Sequence, residues 1–176
     1  MKTIQLGKFF GLQVDVLPVT FWATFLLWIG LGSAAFFEIG IPAGESILIG
    51  LVATLLHWTS LLLHHLGHFA AARSTGYPMS GILFGIFGLL GRDLYPVDEP
   101  ELPPAIHIRR ALGGPIVSGV LSVIFFLLLP LWSENWYWLG LFILLENLFL
   151  FTLQVFIPLS FNDGGTILEN LRRESP

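Results

Sequence analysis

Four histidines crowd one apolar stretch, HWTSLLLHHLGHFAAAR from His57 to Arg73, at positions 57, 64, 65 and 68. An imidazole is costly in hydrocarbon, and one inside an apolar helix points to function. His64 and His68 are four apart, so on a helix they share a face one turn apart. One helix offers two imidazoles to one metal ion at that spacing. His57 lies seven before His64 on nearly the same stripe. It reads equally well as a ligand or as a buried ring bonded to a backbone carbonyl. His65 points about 100° away.

The elements that must position these side chains follow from composition. The chain has 176 residues, 55% hydrophobic and only 11% charged, with no cysteine and a mean hydropathy of +0.79. A soluble domain carries roughly twice that charge, so the expectation is a protein embedded in a lipid bilayer. Disulfides and Cys-ligated zinc are excluded, and no basic patch suggests nucleic acid. The expected fold is an all-α integral membrane protein, a single domain over 1–176. Its spans fall at about 18–37, 47–72, 106–132 and 136–157, each near the ~20 residues that cross ~30 Å of hydrocarbon. Residues 1–17 read as an extended interfacial lead-in. Residues 79–91 are apolar and glycine-rich but too short to span, and read as a re-entrant loop or a small hairpin. Residues 92–104, with four acids and four prolines, read as an aqueous loop, and 158–176 as a tail with a short amphipathic helix.

With four spans, all eight Lys and Arg residues fall on one side, and the positive-inside rule places both termini in the cytoplasm. The second span then exits at Arg73, with His68 and His64 about 7 and 13 Å below that boundary. The fourth span exits to the same side and Asp163 follows it directly. His64, His68 and Asp163 can therefore meet, and two imidazoles with a carboxylate and one open position form a catalytic type of zinc set. Glu146 lies roughly 18 Å below the end of that span, too deep to serve the same centre. It reads as a hydrogen-bond donor to a neighbouring helix. His107, in the polar HIRR segment, reads as solvated.

Three segments together carry a resemblance: LLLHHLGHFAAARSTG at 61–76, GGPIVSG at 113–119 and IPLSFNDGG at 157–165. In order and approximate spacing they resemble the site-2 proteases, intramembrane zinc metallopeptidases with a HExxH helix, a Gly-Pro segment and an Asp-Gly segment. The resemblance covers essentially all four spans. It implies a site-2-protease-like core, with His64, His68 and Asp163 as zinc ligands. The chain departs from the pattern where chemistry is done, since His65 stands where the family has its catalytic Glu. That Glu takes a proton from the zinc-bound water and passes it to the leaving amine, and losing such a base costs about 10²–10⁴ in rate. Val155 replaces an Asn of the family pattern, with Gln154 one residue earlier as a substitute. The polar residue that follows Gly-Pro is replaced near Ser118.

Three functions are weighed. The preferred one is a pseudopeptidase that keeps the fold and zinc but binds a transmembrane helix of a partner as a subunit of a membrane complex, His65 being a remnant of lost activity. The second is an active, weak intramembrane metallopeptidase acting on a transmembrane substrate, with His65 as a poor catalytic base. The third is a tetrapyrrole-binding membrane subunit, because transmembrane histidines are common axial ligands.

Overall fold

Four helices in the computed structural model are long and apolar enough to cross a membrane; the structure describes residues 2–9 and 11–174. They are α1 (Val19–Phe37), α2 (Ala43–Ser74), α3 (Pro104–Leu128), which tightens into a 3-10 turn over Leu129–Leu131, and a fourth that begins as α4 (Glu134–Leu145). At 1.5 Å per residue, the 32 residues of α2 exceed the ~30 Å hydrocarbon thickness. Large apolar side chains such as Trp22, Leu26, Phe126 and Leu127 face outward, as lipid solvation demands. The chain is an integral membrane protein.

The all-α expectation needs correction. A four-stranded sheet runs β1 (Ile4–Phe9), β2 (Leu12–Val16), β3 (Gly81–Ile86) and β4 (Leu90–Leu94), in that spatial order. β1–β2 and β3–β4 are antiparallel hairpins. β2 and β3 pair in parallel, with Val14 opposite Ile82. A parallel pair needs a long crossover, which α1 and α2 supply. The lead-in is therefore the first hairpin, and the apolar segment after α2 is the second. Leu12, Val14, Val16, Ile82 and Phe84 form one buried cluster with Leu61 and Ala72 of α2 and Phe151. The sheet thus presses on the histidine-bearing helix. Its strands have five or six residues each; β2 alternates buried and half-exposed residues, but β1 is largely exposed and β3 mostly buried, so the period-2 signal extends over one short strand only.

Helices α2 and α3 cross where Gly67 meets Gly113. A Cβ on either would collide with the other's backbone carbonyl, so the small residues allow close approach. The last span does not stay α-helical. Its backbone widens to a π-helix over Glu146–Thr152 and tightens to a 3-10 turn over Leu153–Phe156. A loop then leads to α5 (Asp163–Glu174), an amphipathic helix that starts on the acidic residue of the candidate site.

Candidate metal centre

His64 and His68 extend from one face of α2 and bring their Nε2 atoms to 3.0 Å from each other. The Asp163 carboxylate faces both, with Oδ2 3.4 Å from His64 Nε2 and Oδ1 3.4 Å from His68 Nε2. Ligand atoms ~2.0–2.1 Å from a tetrahedral zinc ion lie about 3.3–3.4 Å apart. The three atoms therefore form a triangle of the size such an ion requires, and the group could hold one.

The hydrogen bonds behind the rings set their tautomers. His68 Nδ1 lies 2.8 Å from the carbonyl oxygen of Arg110. A carbonyl only accepts, so Nδ1 carries the hydrogen and Nε2 keeps its lone pair. His64 Nδ1 meets Ser118 Oγ at 3.1 Å, and donation there bares its Nε2 in the same way. Two lone pairs and a carboxylate then face one another in a nearly dry site, with both imidazoles at most 4% exposed. They repel unless a cation or shared protons lie among them, and this donor set suits a metal. Gly114 of α3 leaves room for both rings, because a Cβ there would overlap His68 Nε2 and crowd His64.

Asp163 is oriented by Gln154, whose Nε2 donates to Oδ2 at 2.9 Å. Burial opposes ionisation of Asp163, but when no ion is bound the hydrogen bonds and charge of the His64 and His68 imidazoles, which then share protons with it, outweigh it. They hold the carboxyl well below the ordinary carboxylate range. Tyr95 is moved the other way, upward, by burial and then by the nearby Asp93 charge, so its phenol stays neutral. Arg110 is only 3% exposed. It forks onto Glu99, donates to the Tyr77 carbonyl at 2.6 Å and lies 4.2 Å from the centroid of the Tyr95 ring. This clamp fixes the start of α3 and with it the carbonyl that holds His68. A cavity of about 640 Å³ opens onto the site, lined among others by Asp93, Tyr95, Glu99, Phe149 and Gln154. His107 sits half-buried on its wall instead of in free solvent.

The other histidines are not members of that triad, although His65 and His68 form with Asp93 a second group that could hold a metal ion. His57 bonds Glu146 Oε1 through Nδ1 at 2.6 Å and the Leu89 carbonyl through Nε2 at 3.1 Å, so it is a structural ring bridging α2, the π-helical segment and the second hairpin. Glu146 is the helix-linking group anticipated for it. His65 faces β4. Its Nδ1 lies 2.7 Å from Asp93 Oδ1, and its Nε2 is buried without a partner against Gly91. Asp93 is the functional residue that sequence reasoning missed. It belongs to an acid-rich segment that reads as solvated, and only the strand pairing brings it under α2. The Nε2 atoms of His64 and His68 stand 3.0 Å apart, and both nitrogens of His57 are bonded.

The chain is similar to a protein of Synechocystis sp. described as "Putative zinc metalloprotease", with 27% identity over 174 residues, 97% of this chain. The chain spans 44% of the length of that relative. Its fold is that of a site-2 protease: the site-2 protease from Methanocaldococcus jannaschii superposes with a TM-score of 0.67 at 22% identity, over 99% of this chain and 73% of the other. No protein-family model matches. The resemblance to the site-2 proteases thus holds in sequence and in fold.

Proposed function

We propose that this chain is a zinc-binding pseudopeptidase, which holds the ion through His64, His68 and Asp163 and binds a transmembrane helix of a partner without efficient hydrolysis. It would serve as a binding or assembly subunit of a membrane complex. The orientation of His65 carries this reading. Its Nδ1 is held by Asp93, and its Nε2, although its lone pair is unpaired, is buried in the space that a Cβ on Gly91 would fill. The burial of that nitrogen, and not the loss of its basicity, is what argues against proton transfer from a water. Bound zinc would supply Lewis acidity and a more acidic water. The chain's own residues hold the ligand set, orient Asp163 through Gln154, and keep the imidazoles in the ligating tautomer through Arg110 and Ser118. Hydrolysis needs a positioned base in addition. A second reading, a weak peptidase, is favoured by the Asp93 and Glu99 carboxylates on the wall of the same cavity.

The Synechocystis description supports zinc over other divalent ions, and the all-nitrogen-and-oxygen donor set agrees with it. The one-sided Lys and Arg distribution supports cytoplasmic termini. The test is to load purified protein with zinc, confirm one ion per chain, and incubate it with transmembrane-helix peptides in lipid. The expected result is stable association with the peptide left intact. Repeated turnover would establish the weak peptidase instead, and absence of any bound ion would remove both readings.

A further inference from the structure

Strand β4 is shaped around the imidazole at position 65. Gly91 and Asp93 are two apart, so they point to the same face of the strand, and that face meets α2. Asp93 Oδ1 holds His65 Nδ1 at 2.7 Å. The ring lies so close to Gly91 that a Cβ there would overlap Nε2 and press on both neighbouring carbons. The other carboxylate oxygen, Oδ2, lies 3.8 Å from Nδ1 of His68, the edge of that ring turned away from Asp163. Asp93 is itself fixed by its pairing opposite the fully buried Ile82. One strand thus offers a carboxylate to two imidazoles and a gap for one of them. A glutamate at position 65 would instead set two carboxylates against each other.

We propose that Asp93 is a positioning residue of the metal site. Through His65 and the outer edge of His68 it locks the α2 imidazoles to strand β4, so that His65 is a fitted component of the site and not a remnant. In this chain the carboxylate beside the imidazoles lies on the strand, and positions 65 and 93 work as a pair. Loss of a carboxylate bonded directly to a ligating imidazole typically weakens metal binding about 10–100-fold. The Nδ1 of His68 is bonded to the Arg110 carbonyl and lies 3.8 Å from Asp93 Oδ2, so Asp93 acts on the ligand ring by its charge and through His65, and its loss is expected at the lower end of that range. The inference rests on the proposed metal site.

The experiment uses the full chain in lipid nanodiscs and reads zinc affinity by chelator competition, together with the melting temperature of the metal-free protein. Four variants are compared with the parent: D93N, G91A, H65E and H65E/D93N. D93N is expected to bind zinc about 10-fold or more weakly with little change in melting temperature. G91A, which displaces the His65 ring without altering charge, is expected to weaken binding in the same direction, and it serves if D93N does not fold. H65E alone is expected to lower both zinc affinity and metal-free stability, and the double variant to recover much of each, because the introduced carboxylate then meets an amide. A parent that binds no zinc overturns this proposal along with the metal-site reading. A parent that binds zinc while D93N and G91A bind it equally well overturns this proposal alone, as does an H65E variant no worse than the double one.

Discussion

His57 and Glu146 meet at 2.6 Å within the helical layer, and the same imidazole reaches the Leu89 carbonyl at 3.1 Å. The carbonyl requires a hydrogen on Nε2, so the remaining contact holds one proton between Nδ1 and Oε1. Whichever atom carries it, the pair is neutral as a whole, which is how two ionisable groups rest in a span. Glu146→Leu is expected to lower unfolding free energy by about 1–3 kcal/mol, the cost of an orphaned buried polar group, whereas Glu146→Gln keeps a donor for Nδ1 and should cost less. Denaturant unfolding in micelles checks this. Zinc stoichiometry should stay unchanged in both, since neither His57 nor Glu146 belongs to the group that could hold the ion. The ligands behave differently under acid. His64 and His68 must be neutral to bind a metal, so affinity should fall as pH drops below neutral, with protons taken up as the ion is released. Asp163 contributes no proton there. Its folded-state value is depressed, so its stabilising contribution is present above the ordinary carboxylate value and is lost only as pH falls through the depressed one. Competition titrations across that range read the slope, and a flat profile would rule out imidazole ligation.

Among the elements, α3 does the least visible work. It supplies the Arg110 carbonyl, the Ser118 hydroxyl and the open side of Gly114, all aimed at α2. Gly114→Ala should remove zinc binding while leaving the helical circular dichroism intact, because the new methyl group occupies the ligand cleft without disturbing the backbone. Retained zinc would show that the two rings can part. Element by element, the sequence was legible where the signal is composition. Long apolar runs mark the helices, and the spacing of His64 and His68 with Asp163 after the last span marks the triad that the fold assembles. The strands were legible in part: residues 1–17 read as extended and 79–91 as a loop or small hairpin, but strands of five or six residues, one largely exposed and one mostly buried, do not reveal that the two segments pair into one sheet. Asp93 was hidden among the charges of 92–104, and Arg110 looked like a surface cation although it is buried. Gln154 was noticed as a polar residue near Asp163, but only coordinates give it a bond.

At the scale of the molecule, four long helices and a sheet joined in parallel through two of them bring segments from both ends of the chain to the histidine helix. Four crossings would put both termini on one side, and tags at either end, probed in intact cells or oriented vesicles, should then share the same protease protection; opposite protection would break the proposed topology. The π-helical turn of the fourth span, Glu146–Thr152, has a consequence for length. A π turn accommodates one residue more than an α turn, so the span contains slack: a spare link between the buried Glu146 and Gln154. Deleting the exposed Leu150 should let the backbone relax to α with the turns on either side nearly in register, because the wide turn already holds the surplus residue. Gln154 should stay on Asp163 and zinc binding should survive. The same deletion within α4, which has no surplus residue, would turn everything beyond it by about 100° and should abolish zinc binding, so equal loss from both deletions would show that the wide turn itself aims the far ligand.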